Sequence, residues 1–291
     1  MFKRQTTGSV VCASCGYLVG VRDETCYHCG RRNPGLWGFA PALRSLGNDL
    51  GFVPFMTATC VCLYVLSLIA SGPAVLQPSG GMMGFLSPTG YWEVFFGAAG
   101  AVPVYEMNRW WTPLSATWLH GSALHIIFNI YWIRQLAPGV AELYGPGRMV
   151  IIYVVSGVIG FLLTSTAGVV LSFLPFLHGA TVTVGASASI FGLLGALVYY
   201  GKRGGSSMIG SQAWSMALFM FIFGFVMAGV DNYAHAGGFA GGYLAGMWLD
   251  PLKQERVNHL MWAVVCLALS MLAIVASAID MSIRFPISMF R

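Results

Sequence analysis

Residues 52–70 read FVPFMTATCVCLYVLSLIA, nineteen residues without a charge. Wound as a helix such a run is about 28 Å long, close to the roughly 30 Å of a bilayer's hydrocarbon core. Working outward, comparable runs recur near 115–137, 149–173, 185–201, 211–230, 233–249 and 260–279, which predicts seven spans. The whole chain is 57% hydrophobic and 9% charged, whereas soluble domains carry roughly a quarter charged residues. This excludes a soluble enzyme with one large core and predicts an all-α polytopic membrane protein. The stretch 71–114 holds Tyr91, Trp92, Tyr105, Trp110 and Trp111 among Pro and Gly, a composition suited to a loop lying in the membrane interface.

The net charge of +5 does not point to nucleic acid, because the basic residues are scattered and most flank apolar spans. They read as topological signals facing anionic lipid. If the N-terminus is cytoplasmic, Arg148, Lys202, Arg203, Lys253 and Arg256 share its side, with Arg134 nearby, and only Arg109, Arg284 and Arg291 face the other. Seven spans then place the C-terminus outside, in a multi-pass protein of the inner or plasma membrane.

The first 35 residues form a different unit. They carry Lys3, Arg4, Arg22, Arg31 and Arg32, with Arg44 extending the basic character, and no signal-peptide-like run. Cys12-x-x-Cys15 and Cys26-x-x-Cys29 are each followed by Gly, Gly16 and Gly30. Two such knuckles complete a tetrahedral four-thiolate site, and a cytoplasmic setting favours structural zinc. Redox chemistry or iron is the alternative. His28 is surplus to the four thiolates. Cys60, Cys62 and Cys266 read as small buried hydrophobes.

Polar side chains within spans are costly unless they pair or act. His125 and Asn129, four apart, share one helix face and are able to serve a developing oxyanion or to bond a neighbouring helix. His120 reads as structural, tying down the adjacent loop. Ser187, in Gly185-Ala186-Ser187, sits just inside a helix start, beside free N–H groups and the positive dipole end; ordinary small-residue packing would explain the same pattern. Ser189 is a competing hydroxyl on another face. His235 lies in Ala234-His235-Ala236-Gly237-Gly238, where Gly238 and Gly242 permit close packing. If the sixth span packs on the glycines of the fourth, His235 approaches Ser187 at matching depth.

Together, Gly185-x-Ser187, His125-x-x-x-Asn129 and Ala234-His235-x-Gly237-Gly238 resemble the rhomboid family of intramembrane serine proteases over roughly residues 50–250. The resemblance implies a rhomboid-like six-helix bundle plus one C-terminal helix, preceded by the small four-cysteine zinc-ribbon-like module. The expected parts are 1–35 (cytoplasmic module), 36–51 (linker), 52–250 (catalytic core) and 251–291 (extra helix and tail). It implies Ser187 as nucleophile, His235 as base, an oxyanion site from His125, Asn129 and the Ser187 N–H, and Phe191 packed on His235. Gly185, Gly238 and His120 support the site. No cofactor is needed for catalysis, and the substrates are transmembrane proteins in the bilayer; the module implies a protein partner, and nucleic acid is excluded. A catalytically inactive rhomboid-like protein that binds membrane clients is the alternative. Two departures stand out: Ala188 follows the serine, where many members have Gly, and aligning Trp111 with the family's Trp-Arg pair puts Thr112 where Arg would anchor the first loop, with Arg109 three residues earlier.

Overall fold

A computed structural model describes residues 4–12, 15–41, 47, 49–76, 84–174, 177–227 and 229–286. Lys3, Arg44 and Arg291 lie outside these residues, as do parts of the expected linker and tail. Among the described residues seven long helices are found: α1 (Phe52–Ser71), α2 (Ala123–Tyr144), α3 (Pro146–Val170), α4 (Ser187–Arg203), α5 (Ser207–Val226), α6 (Asn232–Leu249) and α7 (Val257–Arg284). Among the described residues, four helices are long and apolar enough to cross a membrane: α1 with its extension to Leu76, α3, α5 and α7. Of the even-numbered helices, α4 falls short in length, with 17 residues, and α2 and α6 in apolarity, because they carry polar and small residues. The protein is an integral membrane protein.

The fourth helix is the centre of the bundle. Every residue of α4 from Ala188 to Val198 is buried. Packed along it is α6, almost backbone to backbone. A Cβ added at Gly238 would collide with the Ala188 carbonyl oxygen, and one at Gly242 with that of Gly192. Without a hydrophobic drive between helices in lipid, such approach supplies the van der Waals contact that holds them. The expected match between the glycines of the fourth and sixth spans is present in this form.

The second helix begins later than the sequence pattern suggests, at Ala123 rather than near 115. Leu119 is extended (φ −98°, ψ 156°), and Ser122 caps the helix by accepting from the His125 N–H. Residues 112–118 form short buried turns instead. This places His125 in the first turn of α2 and Asn129 in the second, at the end of the bundle that holds Ser187.

At the opposite end, Arg148 is buried. Its guanidinium donates to the carbonyls of Leu249 (3.0 Å), Asp250 (2.9 Å) and Lys253 (2.7 Å), and its backbone N–H donates to Glu255 Oε1 at 2.9 Å. The expectation that Arg148 faces lipid headgroups is therefore corrected: it ties α3 to the connection between α6 and α7. Lys202, Arg203, Lys253 and Arg256 share this end, where Arg203 and Lys253 both pair with Asp250.

The N-terminal unit is a hairpin, β1 (Ser9–Val11) antiparallel to β2 (Leu18–Gly20), with Val10 opposite Val19. Of the other cysteines, Cys60 is buried and Cys266 half-buried, but Cys62 is exposed on the outer face of α1. The expectation for Cys62 is corrected too: two residues past Cys60, it points to lipid.

Gly238→Ala is expected to lower stability by about 1–3 kcal/mol, because the new methyl group has only backbone to push against. Gly139→Ala in α2, where nothing lies within 4 Å of the added Cβ, is expected to be neutral or slightly stabilising. Thermal unfolding of both variants in detergent checks the pair.

Candidate active site and metal centre

Ser187 is the first residue of α4, half-buried, with Ala186 at the N-cap. The α4–α6 contact places its Oγ 2.9 Å from His235 Nε2. His235 is 6% exposed and lies in the first turn of α6, where Asp231 caps the helix by accepting from the Ala234 N–H at 3.0 Å. Its ring stacks on Phe191, one helical turn after Ser187, with centroids 4.2 Å apart and planes at 16°. His235 Nδ1 has no hydrogen-bond partner among the described residues. Ring stacking and the two helix backbones, rather than a carboxylate, hold the imidazole.

His125 Nδ1 faces the Gly121 N–H at 3.4 Å. With Nδ1 accepting, the proton is assigned to Nε2, the ring nitrogen that faces Gly185. Gly185 makes room for it. This residue has φ +137°, and a Cβ there would lie 2.6 Å from His125 Nε2. Glycine is thus required twice over, by backbone conformation and by the approach of the histidine. Asn129 is buried and donates one Nδ2 hydrogen to the His125 carbonyl at 2.9 Å; its second hydrogen is a further donor. His120 is buried with its ring 5.2 Å from that of His125. Ser189 is turned away, its Oγ 3.2 Å from Thr117 Oγ1.

A nucleophilic hydroxyl, an imidazole in contact with it, and N–H donors on the adjoining helix start make an arrangement suited to acyl transfer. Residues 107–251, from the late part of the interfacial loop through α6, match the Rhomboid domain. Rhomboid protease GluP of Bacillus subtilis is 31% identical over 56% of this chain and 31% of its own length. RHOMBOID-like protein 4 of Arabidopsis thaliana is 29% identical over 56% of this chain and 40% of its own. The putative rhomboid protease YdcA of Bacillus subtilis is 28% identical over 51% of this chain and 72% of its own length. The chain belongs to the rhomboid family. It spans less than half the length of two of these relatives, GluP and RHOMBOID-like protein 4.

The structure also corrects the reading of the first loop. Thr112 is buried and donates through Oγ1 to the Arg109 carbonyl at 2.9 Å. The anchor is Arg109 itself, fully buried, which donates to the carbonyls of Val94 (2.8 Å) and Ser277 (3.0 Å). Thr112 still stands where the family's Arg would be, and the loop is anchored from three residues earlier. Sequence reasoning missed Glu93 as well. It lies in the run Tyr91-Trp92-Glu93-Val94-Phe95-Phe96, and its Oε1 sits 3.1 Å from the point where a Gly121 Cβ would be. An acidic residue inside so aromatic a run was the available signal.

In the N-terminal unit the four cysteines converge. Their sulfurs lie within 4.8 Å of one another, with Cys12 to Cys29 at 3.8 Å and Cys15 to Cys26 at 3.5 Å. A tetrahedron with metal–sulfur bonds of about 2.3 Å has edges of about 3.8 Å, so the set fits one tetrahedral ion. Each knuckle closes in the same way: Gly16 N–H donates to the Cys12 carbonyl and Gly30 N–H to that of Cys26, and both glycines have positive φ. The N–H groups of Cys29 and His28 lower the Cys26 thiol pKa to about 7, whereas burial raises that of Cys29 and pushes that of Cys15 up to about 12. His28 stacks on Tyr17 at 3.6 Å, away from the sulfur set.

Burial raises the Glu93 carboxyl pKa from 4.5 to about 7. An acid held neutral by folding contributes stability that is fully present below its unfolded pKa and is lost as pH rises through the folded one. The unfolding temperature is therefore expected to fall between pH 4.5 and about 7, and Glu93→Gln to flatten that decline. Unfolding followed across this pH range in wild type and variant checks it.

Proposed function

We propose that the chain is an intramembrane serine endopeptidase that hydrolyses transmembrane-protein substrates by a Ser187–His235 dyad. The observation that carries the reading is the 2.9 Å contact between Ser187 Oγ and His235 Nε2, inside a rhomboid domain. In the first step Ser187 Oγ attacks the scissile carbonyl carbon while His235 Nε2 takes the hydroxyl proton. The carbonyl oxygen gains the charge, and the Ser187 N–H, His125 Nε2–H and the second Asn129 hydrogen are the donors for it. His235 then returns the proton to the leaving amine. Water, deprotonated by His235, releases the acyl group from Ser187 and restores the dyad.

Depth supports this chemistry. With 17 residues, α4 is about 25 Å long, some 5 Å less than the hydrocarbon core. If Lys202 and Arg203 sit at the cytoplasmic surface, Ser187 lies a little below the outer one, within reach of water. The proposed topology has the N-terminus cytoplasmic and the C-terminus outside, with parts at 1–35, 36–51, 52–250 and 251–291. Substrates would then be cut near the outer ends of their helices, where small or helix-weakening residues expose a carbonyl.

The purified chain in detergent, given a fluorescent transmembrane substrate and a fluorophosphonate probe, is expected to cleave and to label. Ser187→Ala and His235→Ala should each lose at least roughly 10³-fold in kcat/KM, and His125→Ala roughly 10²-fold. Wild type that neither labels nor cleaves above Ser187→Ala would sink the reading and leave client binding in its place.

For the N-terminal unit we propose structural zinc. The four thiolates leave no open coordination position, so the ion would organise the fold and take no part in hydrolysis. Elemental analysis of the purified chain is expected to give about one zinc, and Cys26→Ser to lose it. Iron in its place, or a folded metal-free unit, would refute the assignment.

A further inference from the structure

The outer end of α7 is joined to the interfacial loop by more polar links than packing alone requires. Arg109 Nε lies 3.4 Å from Asp280 Oδ2, with the arginine side chain fully buried and the aspartate's 16% exposed. The Arg109 Nη2 donates to the Ser277 carbonyl and the Trp111 indole to Ser277 Oγ, each at 3.0 Å. The Tyr91 hydroxyl donates to the Phe285 carbonyl at 3.0 Å, and Arg284 reaches back to the Met107 carbonyl at 3.2 Å. A fully buried guanidinium is tolerated only with its charge compensated. Asp280 is the carboxylate that does so, and it belongs to a helix outside the matched rhomboid domain.

From Arg109 two routes of contact lead to the site. One runs through the loop's backbone: Arg109 O accepts from Thr112 Oγ1, Thr112 O from Ser115 Oγ at 3.1 Å, and Ala116 O from the Gly185 N–H at 3.0 Å. Gly185 is two residues before Ser187. On the other route Arg109 Nη1 holds the Val94 carbonyl, next to Glu93, whose carboxyl group sits against Gly121 beside His125.

We propose that α7 is a positioning element of the active site, in which Asp280, compensating Arg109, fixes the loop that sets Gly185 and hence the Ser187 turn. Asp280 touches no reacting atom; it is a positioning residue, and its catalytic consequence rests on the protease reading above. Removing its charge leaves Arg109 buried and uncompensated, so the loop moves outward to hydrate it and Ala116 O leaves the Gly185 N–H.

The test uses the full chain in liposomes. Hydrogen exchange in Asp280→Asn is expected to quicken roughly tenfold at amides 91–118 and at Gly185, with α3 unchanged. With a transmembrane substrate, kcat should fall by roughly tenfold while KM stays within about twofold, and Asp280→Glu should recover most of the loss. If Asp280→Asn does not fold, Ser277→Ala, which deletes only the Trp111 bond, is expected to show the same pattern at roughly threefold. Unchanged protection of Gly185, or a loss that Asp280→Glu fails to restore, overturns the proposal. A wild type without activity would refute the protease reading alone, since the Gly185 amide still reports whether Asp280 positions the turn.

Discussion

Where α4 meets α6, two helix backbones touch with no side chain between them. Gly238 lies on the Ala188 carbonyl and Gly242 on that of Gly192. Helices at an ordinary separation would hold Ser187 and His235 too far apart to bond. The two residues stand in the first turns of these helices, so the glycine contact fixes both their distance and their common depth. Phe191 fills the remaining space beside the imidazole. The rest of the bundle buries α4 from Ala188 to Val198, while α6 keeps an exposed apolar face at Leu244, Met247 and Trp248.

The odd- and even-numbered helices differ in what their residues satisfy. In α1, α3, α5 and α7 the residues satisfy the bilayer, and these four pass a test of length and apolarity. Helices α2, α4 and α6 carry His125, Asn129, Ser187 and His235; Asn129 bonds the His125 carbonyl and Ser187 bonds His235, while His235 Nδ1 has no partner among the described residues. The rule that intramembrane polar atoms find partners also governs the ends of the bundle. Buried arginines at 109 and 148 take up backbone carbonyls left open by loops and helix ends.

Much of this was legible in the sequence because the signals are local. Seven apolar runs gave the helices, and the spacing of His125 and Asn129 gave a shared face. The CxxC pairs gave a convergent sulfur set. The approach of Ser187 to His235 followed from two glycine-rich segments at matching depth only on the condition that the sixth span packs on the fourth, and the roles of the two residues came from the rhomboid resemblance. What escaped notice depends on long-range pairing. Neither Arg109 nor Asp280 announces its partner, 171 residues away on another helix. The start of α2 was misplaced because residues 112–118 are apolar enough to resemble a helix start, while the Ser122 cap that sets it is a single hydroxyl. Arg148 looked like a surface charge because composition carries no information on burial.

The distance in sequence between Arg109 and its partners on α7 has a consequence during synthesis. At about 5–20 residues per second, the ribosome reaches Ser277, 168 residues after Arg109, roughly 10–30 seconds later. Only over the last part of that interval, the 31 residues from Leu249 to Asp280 or about 2–6 seconds, are both the Ser187 and His235 helices made while the loop beside them still lacks its buried counter-charge. The order of translation therefore closes the Arg109 contacts last, and a nascent chain passes through a stage in which Ser187 and His235 have been made before the loop beside them is paired.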